Sequence, residues 1–316
     1  MESTHCDTTQ ITMDVVLDFD GTIIAKDSIN CLGEFGVSHQ QKHRQHDLSP
    51  TWKQIVSDYL ADHKMHVSAY SPAEADRLTH DDERAFLHSL QHVDVKSLAR
   101  VADARIFEGC TADDLYGAGR EAVRTGKVAA RGGFAEFVAV MRGAGATMSI
   151  LSVNWSASFI RGVLSQCGDD VVIEDVVSNE ITADGKIGCL GEGGGAQGTP
   201  MMTSLHKLEA LRARSAASSD ENEISSKITI YFGDSTTDLE CLLAADIGIV
   251  MANDENSSLL RALARLGFET PHALDAGSRW QQVPTTVDTR RRLAWARSFT
   301  EVLESGILHP KETSSS

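Results

Sequence analysis

The sequence is poor in the features that mark secreted and membrane proteins. Its six cysteines are scattered and none forms a CxxC pair, a pattern that favours free thiols in a reducing compartment over a disulfide framework. The first ten residues, MESTHCDTTQ, contain no basic start and no apolar run, so we expect no secretory signal. No stretch approaches the roughly 20 apolar residues of a membrane span. The expected location is therefore cytoplasmic, with no membrane partner.

Positive charge is also scarce. The chain has 29 lysine and arginine residues against 45 aspartate and glutamate residues, which gives a net charge of −16 with histidines neutral. Such an excess of negative charge repels nucleic acid and anionic lipid. We therefore expect no nucleic-acid partner. Any phosphate site must be local, with cations or helix ends that offset the repulsion.

The apolar residues form short runs that alternate with helical patterns. A chain of 316 residues with 41% hydrophobic content is long enough for one or two domains. Buried strands are predicted at residues 13–19, 147–153, 171–178, 227–233 and 247–251. Helical spacing lies between them, most clearly over residues 159–164, 202–214 and 239–245. Strands that alternate with helices predict an α/β fold with a doubly wound parallel sheet.

One long segment interrupts this alternation. Residues 26–128 are polar, rich in histidine and charge, and carry helical patterns but no convincing strand. We interpret them as a helical insertion between two parts of a core, residues 11–25 and 129–275. Outside the core we expect a disordered N-terminus (1–10) and a C-terminal extension (276–316) with an amphipathic helix near 289–303 and a disordered tail. The glycine-rich stretch 191–198 and the polar stretch 215–226 are predicted to be loops.

Polar residues follow three of the predicted strands directly. In parallel α/β sheets, ligands bind beyond the carboxyl ends of the strands, so we expect these residues to form one site. They are Asp18 and Asp20, Ser152 and Asn154, and Asp234 and Asp238. Taken singly, a DxD pair is often a solvated turn and a serine after a strand is often a helix cap. Their shared position after buried strands favours a functional reading.

The residue types suggest phosphoryl chemistry. Asp18 is a competent nucleophile toward phosphorus, and Asp20 is placed to donate and later accept a proton. The Ser152 hydroxyl and nearby backbone amides suit phosphoryl oxygens. Asp234 and Asp238 supply the oxygen ligands that Mg²⁺ prefers. Lys207, near the start of a predicted helix, is placed to neutralise the transferring group, with Lys227 as the alternative.

The ordered set DFDGT, a strand-terminal serine, an upstream lysine and GDSTTD resembles the haloacid dehalogenase-like hydrolase superfamily, in its phosphatase branch. By that resemblance Asp18 is the nucleophile, and Asp20 is the acid/base and gives a backbone carbonyl to Mg²⁺. The phosphate-binding residues would be Thr22, Ser152, Asn154 and Lys207, and the metal-binding residues Asp18, Asp20, Asp234 and Asp238. The insertion would correspond to the family's helical cap, which selects the substrate.

The segments ILSVNW (150–155), SNE (178–180) and GDSTTDLECLLAADIGIVM (233–251) are similar to the phosphatase domain of plant bifunctional thiamine-salvage enzymes. That resemblance implies a small phosphorylated metabolite as substrate, with thiamine monophosphate as the first candidate. Phosphoserine, pyridoxal phosphate and sugar phosphates remain alternatives. So do a phosphotransferase and, in another class, a non-catalytic phospho-ligand-binding or regulatory protein.

Overall fold

The computed structural model describes residues 12–189, 199–217, 227–280 and 292–308, and its centre is a six-stranded parallel sheet. The sheet order is β3-β2-β1-β6-β7-β8. These strands are β1 (Thr12–Leu17), β2 (Thr147–Leu151), β3 (Asp175–Val177), β6 (Lys227–Gly233), β7 (Ile247–Met251) and β8 (Arg292–Ala296). The predictions for residues 1–10, 191–198, most of 215–226 and the tail beyond 308 fall outside the described residues.

Strand β1 lies at the middle of the sheet, between β2 and β6. Leu17 is in register with Ile150 of β2 and with Phe232 of β6. The three strands therefore end side by side, and the residues that follow them emerge at one edge of the sheet. This register is what brings residues 18, 152 and 234 together.

Both faces of the sheet are covered by helices, as in a doubly wound fold. Alternate residues of β1 point to opposite faces: Val15 and Leu17 belong to one apolar cluster and Val16 to another, and all three are fully buried. The flanking helices are α6 (Phe134–Gly143), α7 (Ala157–Leu164), α8 (Ser204–Ala217), α9 (Leu239–Ala244), α10 (Ser258–Arg265), α11 (Ala273–Trp280) and α12 (Phe299–Ser305). The predicted fold class is confirmed.

Five further helices lie between β1 and β2, inside the predicted insertion. They are α1 (Ile29–Arg44), α2 (Ser49–Ala69), α3 (His80–Ser89), α4 (Gln91–Asp103) and α5 (Ala112–Arg124). Helix α5 crosses α7 closely because glycine stands at the contact: a Cβ on Gly162 would lie 2.1 Å from the Tyr116 carbonyl oxygen. The exact domain boundaries stay a prediction. A separate antiparallel hairpin, β4 (Asn179–Ile181) and β5 (Ile187–Cys189), follows β3.

The C-terminal region corrects one sequence prediction. The amphipathic helix expected near residues 289–303 is wrong over residues 292–298, where β8 pairs in parallel with β7, and among its described residues only 299–303 are helical, in α12. The residues Leu293 to Ala296 are all buried in the sheet. A short apolar run of this kind is compatible with either a strand or a buried helix, and pairing with β7 decides between them. None of the helices in the described ranges is long and apolar enough to cross a membrane.

Candidate active site

Asp18 follows β1 directly, and its carboxylate forms an ion pair with Lys207 of α8. The Lys207 Nζ donates to Asp18 Oδ1 at 2.6 Å and to Asp238 Oδ1 at 2.7 Å. Lys207 has no exposed surface, so its charge is balanced by protein carboxylates and not by water. Lysine at this position therefore links the end of β1 to the segment after β6.

Burial and charge shift the pKa values of this pair. Burial raises the pKa of Asp18 to about 7, against the opposing effect of Lys207. For Lys207 burial opposes the charged form, but the carboxylates of Asp18 and Asp238 outweigh it and hold its pKa above the usual range. Lys207 therefore remains positively charged, whereas the carboxyl group of Asp18 gains and loses its proton near neutral pH.

Asp238 is held by donors on both of its oxygens. Besides Lys207, the Tyr231 hydroxyl donates to Oδ1 at 2.7 Å. The backbone N–H groups of Asp234 and Ser235 donate to Oδ2, each at 3.2 Å. Gly233 permits this arrangement because a Cβ there would lie 2.4 Å from the Asp238 Cβ. The carboxylate is therefore fixed in direction as well as buried.

Asp234 completes a group of three carboxylates with the composition of a metal site. Ligand oxygens of Asp18, Asp234 and Asp238 lie within 4.8 Å of one another. Burial, followed by the charge of Asp18, raises the pKa of Asp234 to about 9. Within the described part of the chain its side chain makes no hydrogen bond or ion pair. Three carboxylates at this spacing, of which Asp18 and Asp238 share the single cation Lys207, fit Mg²⁺, which binds carboxylate oxygens together with water and phosphate.

The turn after Asp18 requires glycine where it passes the Asp234 side chain. Gly21 has φ +74°, in the left-handed region, and a Cβ on it would lie 2.0 Å from Asp234 Oδ2. Any side chain at this position would therefore strain the turn and displace a carboxylate of the site.

Asp20 lines the same cavity as Asp18 but is not part of the carboxylate trio. The Ser28 backbone N–H donates to its Oδ1 at 2.7 Å, and the Asn154 side-chain amide donates to its Oδ2 at 2.6 Å. Burial, together with the nearby charge of Asp27, raises the pKa of Asp20 to about 6. A carboxyl group that gains and loses a proton near neutral pH suits general acid–base work.

The other predicted phosphate-binding residues occupy different positions. Ser152 lines the cavity, and its Oγ accepts a hydrogen bond from the Asn154 backbone N–H at 3.2 Å. The Asn154 side chain is occupied by Asp20 and by Ser28 Oγ, at 3.0 Å. The structure does not bring Thr22 into the cavity wall: it is fully buried, and in the described residues its hydroxyl has no hydrogen-bond partner. Phosphate binding by Thr22 stays a prediction.

The cavity above these groups has a volume of about 670 Å³. Its floor comes from the carboxyl ends of the strands, with Asp18, Ser152 and Asp234. Its roof comes from the insertion, including Trp52 and Tyr59 of α2. A volume of this size accommodates a small metabolite rather than a macromolecule.

The family model of haloacid dehalogenase-like hydrolases matches residues 15–243, which include the ends of β1, β2 and β6. This chain belongs to the haloacid dehalogenase-like hydrolase family. Its match to the family begins in β1 and ends in α9, so it also contains the insertion and Lys207. The family resemblance seen in the motifs is confirmed.

Among individual proteins, this hydrolase is similar to the bifunctional TH2 protein, mitochondrial, of Arabidopsis thaliana. The two are 27% identical over 265 residues, which cover 79% of this chain and 41% of the relative. The chain thus matches less than half of that relative's length.

The fold is similar to that of a protein of unknown function from Bordetella pertussis Tohama I. The TM-score is 0.51 and the identity 15%, over 82% of this chain and 98% of that one. A phosphoserine phosphatase solved as a phospho-aspartyl intermediate analogue is 12% identical, with a TM-score of 0.42 over 80% of this chain and 90% of the other.

Two residues of this hydrolase support the site without having been predicted. The first is Arg131, which is buried beneath the DFDGT turn. Its guanidinium donates to the carbonyl oxygens of Gly21 and, at 3.2 Å, of Thr22. It also donates to Asn253 Oδ1 at 3.0 Å and to the Arg297 carbonyl oxygen at 2.9 Å. An isolated arginine in sequence gives no signal for such a role.

The second is Asn179, at the start of β4. Its amide donates to the carbonyl oxygens of Val153, at 3.1 Å, and Met201, at 2.9 Å, and its Oδ1 accepts from the Met201 backbone N–H at 2.8 Å. Asn179 therefore joins the loop after β2 to the segment that leads into α8 and Lys207. The segment SNE (178–180) carries part of the family resemblance in the sequence, but it does not predict that Asn179 joins these two segments.

Lys227 was the alternative to Lys207, and it is wrong for this site. It begins β6, whereas the site lies beyond the end of that strand, and its Nζ pairs with Asp14 Oδ2 at 3.1 Å. Because Asp14 lies near the start of β1 and Lys227 begins β6, the pair lies toward the edge of the sheet opposite the site. Of the two lysines considered, Lys207 is the one that lies at the site.

Proposed function

We propose that this hydrolase is a magnesium-dependent phosphatase that hydrolyses a small phosphomonoester through an aspartyl-phosphate on Asp18. One observation carries the proposal. Asp18 lines a metabolite-sized cavity while it is paired with the fully buried Lys207 and lies beside two further acids, Asp234 and Asp238. A nucleophile, a cation and a metal-binding set at the same strand ends are the parts that phosphoryl transfer requires.

Two steps follow from this arrangement. An Asp18 oxygen bonds to phosphorus while the bond from phosphorus to the ester oxygen breaks, and the departing alkoxide takes the proton held by Asp20. A water oxygen then attacks the phosphorus, its proton passes to Asp20, and the bond between Asp18 and phosphorus breaks to release phosphate. Asp20 suits both roles because the hydrogen bonds from Ser28 and Asn154 fix its direction.

The remaining groups bind and neutralise charge. Lys207 holds Asp18 in place and contributes positive charge beside the transferring phosphoryl group. Ser152 and the backbone amides after β2 would bind phosphoryl oxygens. Asp18, Asp234 and Asp238 would hold Mg²⁺, together with the Asp20 carbonyl that the family resemblance implies. When bound, the ion neutralises the carboxylates and the phosphate.

The test is Asp18→Asn, assayed with purified protein, Mg²⁺ and a panel of phosphomonoesters. Because an amide is a poor nucleophile, kcat should fall by about a thousandfold or more. Chelation of Mg²⁺ should abolish turnover in the wild type, and added Mg²⁺ should restore it. The matched control is Asp103→Asn, at an exposed position on α4, which should retain full activity. Full activity in Asp18→Asn would remove Asp18 from the mechanism.

Thiamine monophosphate is the first substrate to test, on the sequence resemblance to plant thiamine-salvage phosphatases. Phosphoserine, pyridoxal phosphate and sugar phosphates complete the panel. Absence of turnover with every ester, in protein that still binds them, would favour the non-catalytic binder. The cytoplasmic location stays a prediction, and the Arabidopsis relative carries a mitochondrial designation.

A further inference from the structure

The roof of the cavity is mostly apolar and aromatic, yet it contains two acids. The insertion contributes Trp52, Ile55, Tyr59, Leu60, Leu90 and Leu98 to the wall. Among these side chains lie the carboxylates of Asp94, on α4, and Asp27, just before α1. Burying a carboxylate among apolar side chains costs free energy unless a hydrogen-bond donor or a cation pairs with it.

Asp94 has no cationic partner within the described residues. The nearby cations of its own helix are engaged elsewhere: Lys96 and Arg100 both pair with Asp62, at 2.8 Å and 2.6 Å. Burial raises the pKa of Asp94 to about 6, and the Tyr59 hydroxyl and the nearby His92 act in the opposite direction. Asp94 is therefore a half-buried acid that forms no ion pair within the described residues.

Asp27 adds a second negative group to the same wall. Burial raises its pKa, and the Ile29 backbone N–H donates to its Oδ1 at 2.8 Å. Lys26 and His63 also line the cavity, but neither forms an ion pair with Asp27 or Asp94 in the described part of the chain. A positively charged group of a ligand would therefore meet two carboxylates, Asp27 and Asp94, that form no ion pair with any described side chain.

Aromatic rings lie in the same wall. Trp52 and Trp155 meet edge to face, with ring centroids 6.3 Å apart, and both line the cavity together with Tyr59. Aromatic faces stabilise flat rings and attract cations. The wall therefore offers two interactions at once to an aromatic cation, contact with a ring and pairing with a carboxylate.

We propose that Asp94 and Tyr59 are specificity-determining residues that favour phosphomonoesters whose organic part is a positively charged aromatic ring. The inference rests on the proposed function, because it places the phosphate at Asp18 and the organic part against the roof. It goes beyond that function by assigning the residues that recognise the leaving group.

The experiment uses two esters that differ by one charge, the phosphate ester of 3-hydroxymethyl-1-methylpyridinium and 3-methylbenzyl phosphate. Wild-type kcat/KM should be about tenfold or more higher for the pyridinium ester. Asp94→Asn, which keeps the side-chain shape, should remove most of this preference by lowering turnover of the cationic ester alone. Tyr59→Phe should reduce it partly. Asp103→Asn, an exposed acid on the same helix, should leave the preference unchanged.

A binding measurement separates failure of this inference from failure of the proposed function. Calorimetry on Asp18→Asn protein with Mg²⁺, with Asp94 either intact or changed to asparagine, compares the two esters without turnover. Charge preference in binding that disappears with Asp94 supports the inference even where no ester is hydrolysed. Equal affinity and equal kcat/KM for both esters in the wild type, or a preference that survives Asp94→Asn in folded protein, would overturn it.

Discussion

Asn154 shows which properties of a single residue could be predicted from the sequence and which could not. Its place after β2, next to the other strand-end groups, could be predicted from the alternation of strands and helices. The direction of its side chain could not, because that depends on Asp20 and Ser28, which follow β1 and are more than 120 residues away in the sequence. Asn154 is best described as a positioning residue for Asp20.

Asn154→Ala is therefore expected to impair the proton-transfer step. The lost hydrogen bond is to a charged group, so kcat/KM should fall by roughly tenfold to a hundredfold. Because the Asn154 amide lowers the pKa of Asp20, its loss should move the pH limb set by Asp20 to higher pH. Steady-state pH profiles of the wild type and of Asn154→Ala measure this shift. Asn256→Ala, at an exposed position, is the control, and an unshifted profile would assign Asn154 a purely structural role.

At the scale of elements, the strands of the core were easier to predict than the C-terminal region. The runs that became β1, β6 and β7 are apolar and bounded by turn residues, so their type followed from pattern alone. The stretch that contains β8 has the same local character as a short buried helix, and only its partner β7 distinguishes the two. Docking of the insertion on the core also depends on pairs that are distant in sequence.

Glu83 on α3 forms one of these distant pairs. Arg77 Nε lies 2.8 Å from Glu83 Oε2, and Arg265 Nη2, on α10 of the core, lies 2.5 Å from the same oxygen. The Arg77 and Glu83 side chains are only 4% and 3% exposed. Glu83→Ala would leave two guanidinium groups without their shared carboxylate, and it should lower the free energy of unfolding by about 3–5 kcal/mol.

Urea denaturation of the purified variant tests the role of Glu83. The matched control is Glu121→Ala, which removes an exposed ion pair with Arg124 on α5 and should leave the unfolding midpoint unchanged. If Glu83→Ala and Glu121→Ala had the same midpoint, docking of α3 would not depend on this buried charge.

At the scale of the whole molecule, one topological rule accounts for most of what could be predicted. Parallel strands in adjacent positions end together, so Asp18, Ser152 and Asp234 had to meet once their strands were recognised. Charge pairing inside the sheet was not accessible in the same way. Asp14 lies in an apolar run and is fully buried, yet its partners are in α8 and β6, far along the chain.

Asp14 makes global stability depend on pH. Burial opposes its ionised form, but Arg214, 3.0 Å away, and Lys227 outweigh that effect and lower its pKa below the usual value. A lowered folded-state pKa stabilises the fold above the unfolded pKa, about 3.9, and this contribution is lost as the pH falls through the folded pKa.

At pH 7, Asp14→Asn should therefore be less stable than the wild type by about 2 kcal/mol, since its partners are partly exposed. Urea titrations from pH 7 downward should show this difference shrinking below about pH 4, while Asp103→Asn tracks the wild type throughout. A difference that stayed constant down to pH 3 would mean that the charge of Asp14 does not stabilise the sheet.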